Sequence, residues 1–437
     1  MTLQMGKPGA QARPRRSRVD RITTAWMLLA AALLIYNQAY GGSLSQQWWT
    51  TVHIVTLGVI ANAILQWSWY FARSLLRLPA DSASAGSHQT ARQLLFNAAV
   101  AVLIIAMWIP SASLAVAAAA VIGVIIAWHV IALVLASRTA LGTRFSVIVC
   151  YYVAAGVMLV LGVVYGALTV VPLVSPVSPD VLVAYQDGLT IAHSLLNGLG
   201  FVGFTIAGTL VTLGPTTLRT RMDPDAVSRA VKALPTLIIV VLGAALAATW
   251  DLLPLAGLFT LLYVIALAWG VGVGLAHAVR RKGLSEVATW DFAAGILWSM
   301  GGLVWLAAVL LTGPSAAQFR ETSRLIVAAI GVGGILQILV GALSYLLPVV
   351  VGGGPAAVRT GIRAIETGGG LRVAARNSAL ILALLITVSH GSSSAPFAAV
   401  VAATYVLDII VFAQAGIRQA RQKRLRDSLE PKKETNR

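Results

Sequence analysis

Two histidines, His53 and His193, fall inside long apolar runs of the chain. A neutral imidazole in an apolar interior needs a partner for each ring nitrogen. Imidazole is the usual axial ligand of haem iron and a common ligand of copper, so a buried metal would supply one partner; a Ser, Asn or backbone carbonyl on a neighbouring helix would serve as well. His193 has Asn197 one helical turn on, at i+4, and Gly200 at i+7 on the same face. Small residues there let a planar macrocycle approach closely, and they are equally suited to packing a second helix.

Among the other titratable residues, Asp408 stands near the middle of an apolar run with Tyr405 about a turn earlier. A carboxylate at that depth is costly, so it marks either a proton or transport site or a protonated acid bonded to a neighbouring carbonyl. His129, beside Trp128, and His277, before Arg280, lie toward the ends of their runs and suit interfacial, snorkelling roles. His390 precedes Gly391-Ser392-Ser393-Ser394 and would cap a site or meet water, and His88 falls in a polar stretch. Nucleotide loops, metalloprotease helices and cysteine metal clusters are absent. Gly352-Gly353-Gly354 and Gly368-Gly369-Gly370 bracket a basic stretch and read as flexible linkers.

The elements that must position these residues are helices in lipid. Charged residues make up 11% of the chain against 58% hydrophobic, with a mean hydropathy of +0.83; a soluble domain has about a quarter charged. A hydrocarbon core of roughly 30 Å takes about 20 apolar residues per helix. Twelve spans satisfy that, near 22-40, 48-71, 93-109, 112-137, 145-171, 182-213, 233-250, 253-279, 289-312, 323-350, 373-390 and 396-417. The expected fold is all-α: a polytopic membrane domain over 21-417, flanked by a disordered basic N-terminus at 1-20 and a basic polar tail at 418-437.

The net charge of +17 is distributed as membrane topology requires. Arg13, Arg15, Arg16 and Arg18 precede the first span, Arg73 and Arg77 follow the second, Arg138 and Arg144 the fourth. Arg219, Arg221, Arg229 and Lys232 follow the sixth, Arg280, Arg281 and Lys282 the eighth, and Arg359, Arg363, Arg372 and Arg376 the tenth; the alternate loops at 41-47, 172-181, 250-253 and 390-396 hold no Lys or Arg. Only Arg320 and Arg324 break the alternation. The pattern places both termini in the cytoplasm and the protein in the plasma membrane. Attraction to anionic lipid then accounts for the basic balance without a nucleic-acid partner. The first span ends in Tyr36-Asn37-Gln38 rather than a small-residue cleavage site, so it reads as a retained helix. The single cysteine, Cys150, lies within the fifth span.

Spans two, six and ten share a character that their neighbours lack. The second carries His53, Gly58, Asn62 and Gln66; the sixth Gln186, Asp187, His193, Asn197, Gly200, Gly203 and Gly208; the tenth Gly331, Gly334, Gln337, Gly341 and Tyr345. Polar faces in hydrocarbon should look inward, at one another or at a ligand. Three such helices spaced four apart predict a pseudo-threefold set of four-helix units.

The run Ala192-His193-Ser194-Leu195-Leu196-Asn197, continuing through Gly200, Gly203, Gly208-Thr209-Leu210 and Pro215-Thr216-Thr217-Leu218-Arg219-Thr220-Arg221-Met222, resembles a signature of an actinobacterial membrane family. In many of its relatives this domain precedes cupredoxin domains of multicopper oxidase or copper nitrite reductase type. His53 to Ile64 with Arg73 to Arg77, and Gly341 through Tyr345-Leu346-Leu347-Pro348 to Pro355, extend the likeness. More distantly, twelve helices with His in the second and sixth resemble haem-copper oxidase subunit I and the NnrS-type haem and copper membrane proteins. The resemblance implies haem b or copper in the outer half of the bundle, with His53 and His193 as ligands and Asn197, Gln186 and Asp187 behind them. It implies electron transfer or a part in nitric oxide or copper metabolism, and a cupredoxin or other redox partner on a separate polypeptide. Where the family has further histidines this chain has Leu195 and Tyr70-Phe71, and the tenth span has none, so oxygen reduction by paired metals is not expected. A multi-pass transporter lined by Asp408 and Asp187, and a metal-free scaffold for a redox protein, are the competing expectations.

Overall fold

A computed structural model describes residues 17–40, 46–76, 83–138, 145–175, 177–313, 315–390 and 394–429. Every regular element among them is helical, and the chain is an all-α polytopic membrane protein. The principal helices are α1 (Ser17–Tyr40), α2 (Gln47–Leu75), α3 (Ala83–Trp108), α4 (Ala112–Ser137), α5 (Ser146–Val174), α6 (Gln186–Thr217), α7 (Ala226–Thr249), α8 (Leu253–Lys282), α9 (Val287–Thr312), α10 (316–351), α11 (Gly369–His390) and α12 (Ala395–Leu429). Eleven stretches of the described residues are long and apolar enough to cross a membrane, and α1 adds the shorter apolar run Ile22–Leu33. Each helix from α3 onward packs on the next across most joints, α2 lies on α1, α4 and α5, and α1 meets α12, which closes the ring.

The extramembrane segments are more ordered than their composition suggests. Helix α1 begins at Ser17 and α12 runs to Leu429, so 17–20 and 418–429, expected as polar termini, are helical. Gln419 explains part of this: its Nε2 donates to the Pro348 and Gly352 carbonyls at 2.7 and 2.8 Å, tying α12 to the end of α10. The two glycine triplets bracket a helix, Gly354–Glu366, rather than a linker. Gly352, Gly353, Gly354 and Gly368 have positive φ, which turns the backbone into and out of it at little steric cost. Its Ala364 and Ile365 pack on Ala415 of α12.

Helices α2, α6 and α10 each widen into a π-helical stretch, at Ile54–Ala61, Leu196–Gly203 and Ala328–Leu336, with a shorter one in α8 at Ala268–Gly272. Wide turns weaken the backbone ladder and cluster at functional sites. In each of the three a polar side chain secures a carbonyl: Asn62 Nδ2 donates to Gly58 at 2.9 Å, the Tyr263 hydroxyl to Leu199 at 2.9 Å, and the Tyr405 hydroxyl to Val332. The first and last four-helix units repeat further details. Trp26 of α1 donates to Asn97 Oδ1 of α3, and Trp298 of α9 donates to Asn377 Oδ1 of α11 at 2.6 Å. Gly58 and Gly333 face those two indoles so closely that a Cβ on either would lie 2.7 Å from a ring atom.

Candidate functional site

Helices α2 and α6 begin on the same face of the bundle, and α10 touches the start of α6. His53 is six residues into α2 and His193 seven into α6, so at 1.5 Å per residue both lie roughly 10 Å below that face. The structure brings them together: the ring centroids are 6.2 Å apart and the planes differ by 23°. His53 also stacks on Trp49, one turn earlier, at 3.9 Å and 17°.

Each ring is held from behind by a backbone carbonyl. His53 Nδ1 lies 2.8 Å from the Trp49 oxygen, and His193 Nδ1 lies 2.7 Å from the Gly162 oxygen on α5. A carbonyl accepts only, so the Nδ1 of a neutral ring carries the proton and donates, and the Nε2 holds the lone pair. That is the tautomer in which metal-binding histidines are generally fixed. His53 Nε2 has no partner among the described residues. Asn197 Nδ2 stands 3.2 and 3.3 Å from the two nitrogens of His193. Near-equal distances place it beside the ring rather than along the Nε2 lone pair.

Helix α5 is cut away to admit this arrangement. A Cβ on Gly162 would meet Asn197 Oδ1 at 2.1 Å, and one on Gly166 would meet His193 Cε1 at 2.8 Å. Asn197 Oδ1 is itself buried without a hydrogen-bond donor. Gly198, one residue on, has open space where a Cβ would point. Gln186 and Asp187 open α6, about 9 Å along the axis from His193, so they do not share its level.

The donor set suits some groups and not others. One metal ion bound from opposite sides by two Nε2 atoms at about 2 Å each sets the ring centroids roughly 6 Å apart, and the His53 and His193 centroids are 6.2 Å apart. No group of three or more His, Cys, Asp or Glu converges among the described residues. Copper held by protein ligands generally needs three, whereas haem iron brings its own equatorial nitrogens and needs only two axial ones.

Asp408 and Tyr405 belong to a separate cluster. Asp408 accepts from Arg372 Nε at 2.7 Å and from Arg376 Nη2, and Arg376 Nη1 reaches Asp291 Oδ1 at 2.9 Å. Gln337 Nε2 donates to the same Asp291 oxygen at 3.1 Å, and the Arg376 guanidinium lies over the Tyr405 ring at 4.1 Å. Two carboxylates and two guanidiniums cancel within the bundle, so Asp408 is ion-paired rather than isolated. Arg372 also donates to the Thr367 and Ile365 carbonyls, closing the Gly354–Glu366 helix. Both arginines were grouped by sequence with the basic loops; they are buried because Asp291 and Asp408 wait for them.

The remaining histidines scatter. His129 bonds Ser68 at 3.0 Å, His277 bonds Asp223, and the His88 ring lies 6.2 Å from Trp128. His390 closes α11, and its side chain lies outside the described residues. No protein-family model matches the chain, and no curated protein matches it.

Proposed function

We propose that this integral membrane protein holds a haem through His53 and His193 and serves electron transfer across or along the plasma membrane, with both termini in the cytoplasm. The observation that carries the reading is the pairing itself: two imidazoles from different helices, 6.2 Å apart between ring centroids, each held through Nδ1 by a backbone carbonyl, with His193 Nε2 meeting the Asn197 amide at 3.3 Å. The π-helical stretches that begin one residue after His53 and three after His193 support it, since such turns are frequent at functional sites. The recurrence of Trp26–Asn97 as Trp298–Asn377 supports a threefold bundle of the kind implied by the likeness to haem-copper oxidase subunit I.

In this reading Trp49 and Gly162 set the ring tautomers, Asn197 keeps His193 in place, and Gly162 and Gly166 give His193 room against α5. A bound haem would supply one-electron redox chemistry. His53 and His193 are the residues that would hold it. Lys and Arg alternate between loops as an inner-membrane topology requires, and a separate cupredoxin or other redox protein is the partner proposed.

The test is the reduced-minus-oxidised visible spectrum of the purified protein, with iron and copper measured on the same sample. Sharp haem bands with near-stoichiometric iron, lost in His53→Ala and in His193→Ala, are the expected result. A colourless, iron-free wild type from its own membrane would overturn the reading and return transport or scaffolding to the front.

A further inference from the structure

Far from the histidine pair, toward the other end of α2, helices α2, α3 and α4 enclose a cation that no carboxylate neutralises among the described residues. Arg92 is 3% exposed, and its guanidinium lies over two indoles, 4.9 Å from the Trp69 ring and 5.5 Å from that of Trp128. Contacts with aromatic rings leave a guanidinium's N–H groups to be met by hydrogen bonds. One edge nitrogen donates to Gln89 Oε1 at 2.6 Å, while the buried Nε–H has no acceptor. His129, whose ring is 6.4 Å from that of Trp69, repeats the deficit. Its Nε2 lies 3.0 Å from Ser68 Oγ and its buried Nδ1 has no partner. If the serine hydroxyl donates to Nε2, the ring proton sits on Nδ1 and a second donor is left over.

The last four-helix unit shows what such an arginine takes. Arg92 precedes Asn97 by the same five residues as Arg372 precedes Asn377, and each asparagine accepts from the tryptophan of its unit's first helix. Arg372 Nε donates to a carboxylate oxygen of Asp408 on the unit's fourth helix. In the first unit the fourth helix offers Trp128 and His129 instead. The same nitrogen therefore has a built-in oxyanion in one unit and none in the other.

We propose that Arg92 and His129 form a binding site for a phosphate-type oxyanion, which takes the place that Asp408 fills beside Arg372. The depth favours the headgroup of an anionic phospholipid. Arg92 lies four residues past His88, where the membrane-crossing stretch of α3 begins, about 6 Å in. Trp69 and Trp128 are the amphipathic rings common at that level. Free inorganic phosphate offers the same oxygens from the aqueous side.

The two sources separate in one experiment on the full chain, delipidated in detergent. Native mass spectrometry with phosphatidylglycerol or phosphatidylcholine added reads the lipid, and a titration with inorganic phosphate followed by tryptophan fluorescence reads the free anion. The wild type is expected to keep phosphatidylglycerol in preference to phosphatidylcholine, and Arg92→Gln to bind it about tenfold more weakly. Saturable quenching by phosphate that Arg92→Gln abolishes would assign the site to the free ion. Should Arg92→Gln fail to fold, His129→Phe removes the second donor without touching the charge and should weaken the same binding. Equal retention of both lipids together with a flat phosphate titration in the wild type, or binding unaltered by either variant, would overturn the assignment.

Discussion

Gly162 and Asn197 are pressed together so closely that a Cβ on the first would stand 2.1 Å from Oδ1 of the second. Gly162 also supplies the carbonyl that orients His193, so one residue sets both the position and the tautomer of the ring. Gly162→Ala should therefore lower haem occupancy and the thermal midpoint together. Gly198→Ala is the control, because its Cβ meets nothing within 4 Å; the helical preference of Ala over Gly should make it neutral or stabilising by up to about 1 kcal/mol. Parallel spectra and melting curves of the two variants decide it. Equal behaviour would mean that α5 does not position the pair.

Arg376 is fully buried between Asp291 and Asp408. Removing one partner from a buried pair costs about 3–5 kcal/mol, because it leaves a charge stranded in low dielectric. Asp408 would keep Arg372, whereas Asp291 would keep only the Gln337 amide. Arg376→Met is accordingly expected to depress the detergent melting midpoint severely. Adding Asp291→Asn to that variant should recover much of the loss. A double variant no better than the single one would show that packing of the long side chain, not charge, is what Arg376 contributes.

Tyr263 and Tyr405 each donate to a carbonyl inside a π-helical stretch, of α6 and α10 respectively. Replacement by Phe preserves the ring and leaves the carbonyl unsatisfied, at about 1–3 kcal/mol apiece. The two residues sit in different four-helix units, so the losses should add in the double variant. Thermal unfolding followed by tryptophan fluorescence measures all three; strong non-additivity would reveal coupling between the units.

Much of this architecture could be read from residue order alone, because in lipid every backbone polar group must be paired within the helix and hydropathy then outlines the fold. Spans two, six and ten stood out by their polar residues, though nothing in that pattern pointed to the π-helical stretches they carry, and His53 and His193 were singled out by being imidazoles at similar depths. What the sequence hid was pairing. Arg372 and Arg376 looked like loop cations because a run of basic residues near a span end satisfies the topology rule whether or not it dips into the bundle. Only the third dimension sets Asp291 and Asp408 against them. Arg92 was invisible for the converse reason: its partners are two indoles, and nothing in composition marks a guanidinium that is stacked rather than ion-paired. The helix at Gly354–Glu366 was masked by its glycine borders, which read as flexibility although positive φ there serves to turn the chain.

The loop between α6 and α7 gives a pH dependence of defined sign. Asp223 accepts from the Asp225 backbone N–H at 2.9 Å and from His277, and pairs with the Arg229 guanidinium at 3.1 Å. Together these hold its carboxyl at about 2 against an ordinary 3.8, the backbone bond contributing most. A depressed value means stabilisation that is complete above about 4 and is lost as the pH falls toward 2. His277 is half-exposed, so screening limits the ion pair to about 1 kcal/mol or less. Asp223→Asn, which keeps an acceptor for Asp225 but not the charge, should therefore melt slightly below wild type at neutral pH, and the gap should close between pH 4 and 2. Making the same comparison in a His277→Gln background leaves Arg229 as the cation opposite. A gap that persists unchanged below pH 2 would assign the effect to the shape of the loop instead of the charge.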